Sequence, residues 1–255
     1  MMRLVACLLV LCGLSPALAA EEREFIGYGY TLEGDEFRYI EHHRQMLDNA
    51  GTVTAWKVDF WDASGEKIAE KRFIPGDNPS VPGYDFKMLT TGYREGIENV
   101  DGPNIILYRQ KPDEDSKTTK KLEPRSQACA DSGFDQYVRE HWDTLQSGER
   151  LKFQFIAAGR LSAYAFRAEK TGESSFEGQP AMDLKVALDS VFGVFVDPLR
   201  LTYSLDSQQL LEYRGIGNMQ NADGKVYPVR VSYYSETPSE AKAAVAAARG
   251  DRPAE

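Results

Sequence analysis

The residues with the strongest claim to chemistry are Glu41-His42-His43, because a carboxylate beside two imidazoles supplies the donor types that bind zinc or move protons. The triplet falls in a β-prone run, where successive side chains point to opposite faces. His42 and His43 therefore cannot converge on one ion, and no third histidine stands nearby. Both read as strand histidines.

The remaining histidine, His141, lies on an apolar stripe beside Trp142 and reads as a core residue bonded to backbone rather than a general base. No Gly-x-Ser-x-Gly elbow is present. Gly215-Ile216-Gly217 is too short for a phosphate loop and precedes no helix, and Gly27-Tyr28-Gly29 reads as close packing. Arg249-Gly250-Asp251 matches an adhesion tripeptide by chance. Of the three cysteines, Cys7 and Cys12 belong to a leader, so Cys129 is the sole mature thiol, with no base beside it. These residues imply no catalytic set, no metal and no cofactor.

What remains is apolar. Val191-Phe192-Gly193-Val194-Phe195-Val196 is a greasy run where a polar connection is the rule, and it suits a short buried crossover or the lip of a cavity. With Tyr137, Trp142 and Tyr203, its Phe192 and Phe195 form the candidate ligand-binding set.

The elements that must position these side chains are mostly strands. Thr54-Trp56-Val58-Phe60 alternates with Ala55, Lys57 and Asp59, flanked by Asp48-Asn49-Ala50-Gly51 and Asp62-Ala63-Ser64-Gly65. Strands are thus expected at about 36–47, 52–62 and 66–74, with further ones near 84–88 and 104–110. Cleaner alternation follows at Leu151-Phe153-Phe155, Met182-Leu184-Val186-Leu188, Leu199-Leu201-Tyr203-Leu205 and Tyr227-Val229-Val231-Tyr233, with a hairpin at 221–224. Apolar residues on one face and polar ones on the other argue for an antiparallel sheet.

One helix is expected, at 134–146, from Phe134, Tyr137, Val138, His141, Trp142 and Leu145, capped by Ser132 and stopped at Gly148. The fold class is mainly β with one amphipathic helix (α+β): a curved antiparallel sheet, a half-open barrel wrapping that helix, with a β-sandwich as the alternative. The domain runs over 20–236, in lobes of about 24–110 and 132–235 joined by a charged surface segment at 111–131. The Ala-rich stretch 237–255 reads as a frayed helix or disorder.

Met1, Met2 and Arg3, an apolar run from Leu4 to Leu14, a Ser15-Pro16 break and Ala17-Leu18-Ala19 have the order of a cleavable signal peptide over 1–19. The run is too interrupted to span a bilayer. Leu4-Val5-Ala6-Cys7 mimics a lipobox, but its cysteine precedes the apolar run, so no membrane anchor is expected. The chain of 255 residues carries a net charge of −9, which disfavours nucleic acid as a partner. The expected location is periplasmic, with an extracellular one as the alternative.

Gly92-Tyr93-Arg94-Glu95-Gly96, Phe134-Asp135-Gln136-Tyr137-Val138 with Trp142 and Leu145, Leu201-Thr202-Tyr203-Ser204-Leu205-Asp206 and Leu210-Leu211-Glu212-Tyr213-Arg214-Gly215-Ile216-Gly217-Asn218 resemble an uncharacterised family of exported proteobacterial proteins. More distantly, the layout is similar to envelope proteins in which a curved sheet wraps a helix, among them lipoprotein carriers of the LolA/LolB type. The resemblance implies no catalytic residue. The function expected is non-enzymatic binding of a lipid or other apolar ligand between sheet and helix. An adaptor that binds another envelope protein and a hydrolase with an unrecognised site are the alternatives.

Overall fold

A computed structural model describes residues 21–131, 133–190, 197–221 and 223–250. The signal segment 1–19, the cap Ser132 and the Val191–Val196 run with Phe192 and Phe195 lie outside the described residues.

The first half of the chain is an unbroken meander: β1 (Glu21–Thr31), β2 (Phe37–Leu47), β3 (Val53–Asp62), β4 (Lys67–Ile74), β5 (Gly83–Met88), β6 (Arg94–Glu98), β7 (Ile105–Gln110) and β8 (Thr118–Leu122). The second half runs through β9 (Ala128–Ala130), α1 (Gly133–Glu140), α2 (Trp142–Gln146), β10 (Leu151–Ala157), β11 (Ser162–Phe176), β12 (Gln179–Leu188), β13 (Leu199–Ser204), β14 (Leu210–Gln220), β15 (Val226–Ser232) and α3 (Lys242–Arg249). Both halves share one 15-stranded sheet, in the order β8-β7-β6-β5-β4-β3-β2-β1-β15-β14-β13-β12-β11-β10-β9. The seam between them is the antiparallel pairing of β1 with β15, Tyr28 opposite Ser232. Among the described residues only β9 and β10 pair in parallel, as a crossover through α1 and α2 requires.

Three of the hairpins are set by one local device. Asp48, Asp62 and Asn221 each turn a side-chain oxygen back onto the amides two and four residues on, at 2.9–3.1 Å. Three residues after each stands a glycine with left-handed φ, Gly51 (77°), Gly65 (82°) and Gly224 (72°).

The sheet curls but does not close. Its edges are β8 and β9, and the ends are joined by side-chain and loop contacts instead of a ladder. Arg109 Nη1 donates to Gly159 O at 3.2 Å, and Ala130 N donates to Ser80 O at 3.0 Å. The sandwich alternative is thereby set aside.

The inner face holds two apolar clusters. Val58, Phe60, Phe86, Ile97 and Leu107 centre one; in the other, Tyr137, Val138, Trp142 and Leu145 of the helices pack on Leu151, Phe153, Met182, Leu184 and Tyr203. Burial of each such side chain contributes roughly 1.5–3 kcal/mol.

Three expectations need correction. The 134–146 helix is two helices that break at His141, whose φ of −114° and ψ of 24° leave the helical region. The His141 ring bonds the Tyr137 carbonyl at 3.0 Å, while the His141 amide turns to Val138 O at 3.2 Å, so the imidazole takes the acceptor that an unbroken helix would use. The 111–131 segment is only partly a surface linker: β8 is exposed, but Ala128, Cys129 and Ala130 are buried as β9. The tail is not frayed over 242–249. There α3 lays Ala244 and Val245, with Ala241 before it, on Ile26, Tyr28, Tyr30 and Ile40 of the outer face.

Candidate functional site

Beside α1, the inner space is left partly unfilled: a cavity lies between that helix and the wall made by β1–β4 and β13–β15, part of a space of about 690 Å³ whose lining extends to Ile26, Tyr28 and Arg249. Val58, Phe60, Leu201, Val229 and Val231 give it apolar walls. The helix contributes Phe134 from its apolar stripe and Asp135 and Arg139 from the polar flank beside it. Of the candidate residues, Tyr203 lines this cavity. Tyr137 and Trp142 do not: they are packed into the helix cluster, with Trp142 edge-on to Tyr203 at 6.1 Å between centroids and Tyr137 5.5 Å from Phe153. Their stripe fills core, and the helix's polar edge faces the open volume.

Strand alternation decides which polar groups enter. On β2, Tyr39, Glu41 and His43 point inward and Ile40 and His42 outward. His43 Nδ1 accepts from the Trp56 indole at 3.2 Å, because indole can only donate. Its single proton therefore sits on Nε2, which donates to Glu41 Oε2 at 3.2 Å. Phe25 stacks on the imidazole with centroids 4.3 Å apart. With both nitrogens engaged, His43 has no lone pair to offer as a general base. On the outer face, burial lowers the pKa of His42 although Glu24 lies 3.3 Å away.

Two ion pairs complete the lining. Lys71 Nζ reaches both Asp131 oxygens at 2.8 Å and lies 5.4–5.7 Å from the ring centres of Phe73, Tyr84 and Phe86, which favour the charged ammonium. Arg139 bonds Asp135 at 2.5 Å, one helical turn away. Burial raises the Asp135 carboxyl despite Arg139 and the neighbouring Tyr203 phenol, and that phenol is itself pushed far up by burial and then by Asp135. At one rim Arg23 Nε donates to Gln45 Oε1 at 2.9 Å.

Apolar walls with a few placed polar groups are the general makeup of a small-molecule cavity. Burial drives the Cys129 thiol well above the usual range, so it is no nucleophile. Among the described residues no set of three His, Cys, Asp or Glu side chains could hold a metal ion. Sequence reasoning missed Lys71, Asp135 and Arg139. A signal existed for the first: Lys71 stands in phase with Ala69 and Phe73, a charge in the inward frame of β4.

No protein-family model matches the chain, and no curated protein matches it. Among solved structures it is similar to the crystal structure of a beta-barrel-like protein of a domain of unknown function, DUF1849, from Brucella abortus. The likeness has 9% identity and a TM-score of 0.47, over 84% of this chain and 98% of that one.

Proposed function

We propose that this chain is an exported, non-enzymatic binding protein of the envelope that holds a lipid-like ligand in the cavity beside α1. The observation that carries the reading is the cavity itself, part of a space of about 690 Å³ and walled on the inner face by Val58, Phe60, Leu201, Val229 and Val231. The signal-peptide pattern of residues 1–19 supports periplasmic delivery. Native mass spectrometry of protein purified from the periplasm tests it, together with displacement of a fluorescent fatty acid. The expected result is a co-purified mass that organic extraction removes and the probe replaces. Protein that carries no extra mass and ignores the probe before and after extraction would end this reading.

One observation favours an adaptor role as a second reading. Among the described residues the edge strand β8 is exposed and pairs only with β7. Crosslinking in cells separates the two: a reproducible protein adduct through β8, with no cargo in the cavity, supports the adaptor.

A further inference from the structure

The charges that line the cavity are almost all matched in pairs. Lys71 sits on Asp131 and Arg139 on Asp135 inside, and Arg249 sits on Glu24 at 3.0 Å at the outer face. Glu41 is different. Its side chain is only 16% exposed, and Oε2 is met by two neutral donors, His43 Nε2 at 3.2 Å and the Tyr233 hydroxyl at 3.4 Å. Trp56 keeps His43 neutral, as shown above, so no cationic side chain among the described residues pairs with this carboxylate.

The surroundings of Glu41 are aromatic. Phe25 and Tyr233 stand with ring centres 6.0 Å apart, the His43 ring is 4.3 Å from the first and 6.0 Å from the second, and Trp56 lies 5.7 Å from His43. The phenols of Tyr39, Tyr213 and Tyr233 are raised by burial and then by the charge of Glu41, which places the carboxylate among three tyrosines. Across the ladder its partner is Gly27, where an added Cβ would lie 3.3 Å from Glu41 Oε2 and 2.9 Å from the Tyr233 ring. Glycine there leaves the space over the carboxylate open.

A half-desolvated carboxylate met only by neutral donors is costly, and aromatic faces around it repel a second anion while attracting a cation. We infer that the ligand of this cavity carries a cationic amine head that seats on Glu41 among Phe25, Trp56 and Tyr233, with its apolar body against Val58, Val229 and Val231. This rests on the binding reading above and names its ligand class. Arg23 and Lys71 do not contradict it, since the charge of Asp135 acts on the first, which Gln45 also holds, and Asp131 pairs with the second.

The test uses three probes with one tail and different heads, octylammonium, 1-octanol and octanoate, titrated into the full mature chain after extraction, with tryptophan fluorescence and calorimetry as readouts. Wild type is expected to bind octylammonium about tenfold more tightly than octanol, and octanoate more weakly still. Glu41→Gln should erase the amine preference and leave octanol binding unchanged, whereas Glu41→Asp, which keeps the charge, should retain most of it. Circular dichroism and urea midpoints establish that each variant is folded; if Glu41→Gln does not fold, the wild-type ranking of the three heads decides alone. Equal binding of all three heads, or a preference that survives in folded Glu41→Gln, overturns the amine assignment while the cavity reading stands. Failure of every probe to bind overturns both.

Discussion

Asp59 shows how a single outward residue of β3 can matter as much as a core side chain. Its carboxylate is buried yet meets Arg44 at 2.6 Å, Lys67 at 2.7 Å and Lys57 at 3.0 Å. Burial alone would raise its pKa, but the hydrogen bonds and charges of Lys67 and Lys57 outweigh burial and hold it below the usual aspartate value. A carboxyl lowered in the folded state stabilises fully above its unfolded pKa, and that contribution is lost as pH falls through the folded value. Asp59→Asn is therefore expected to cost about 2 kcal/mol at pH 7. Urea melts at a series of pH values should show the gap between variant and wild type narrowing below about pH 4. Cys129 gives a second residue-scale prediction: buried and held as the thiol, it should resist a thiol reagent at pH 8 in native protein and react fully in urea. The sequence shows it as the one cysteine beyond residue 12, but its burial came from a strand too short, at Ala128–Ala130, to leave a periodic trace.

At the scale of elements, legibility followed the strength of local chemistry. Strands bounded by the Asp/Asn-to-Gly device lie close to where alternation placed them, because the turn and the pattern agree within a few residues. The helix break at His141 was hidden, since a ring competing for a backbone carbonyl leaves the apolar stripe intact. The docking of α3 was hidden for the opposite reason: alanines read as low complexity until a partner surface exists, here Ile26, Tyr28 and Ile40. Gly65 in the β3–β4 turn abuts this helix, its Cβ position 3.0 Å from Ala247. Ala244→Lys should force a charge into that contact and lift the helix, costing about 2 kcal/mol. The expected signs are a lower urea midpoint and new trypsin cleavage beyond residue 241, with the sheet's circular dichroism retained. The cavity was the least legible feature, because it depends on which edge of α1 faces inward, and the stripe that marks the helix marks its packed side.

At the scale of the molecule, the ladders of the two halves are continuous with each other through the β1–β15 seam and form one sheet. Trp56 and Trp61 report on the first half and Trp142 on the second. Variants that keep one tryptophan at a time should therefore give coincident urea transitions by fluorescence and circular dichroism. Separate midpoints would mean that the β1–β15 seam opens before the halves unfold. Pairing the first strand with the last also loads the fold with non-local contacts, which predicts slow refolding, on the order of milliseconds to seconds.

That seam inverts the usual relation between a chain and its sheet: the first and last strands lie in the middle of the ladder, while the sheet's outer edges, β8 and β9, are neighbours in the middle of the sequence. The salt bridge from Arg249 to Glu24 brings the last turn of α3 to the start of β1. A circular permutant, joined across that short gap and opened between Leu122 and Ala128, would turn the whole sheet into one sequential meander from β9 to β8. Every ladder pair would then form between strands adjacent in the chain. Such a permutant should keep the cavity and refold faster than the native order, since it replaces the longest loop closure in the molecule with a short linker.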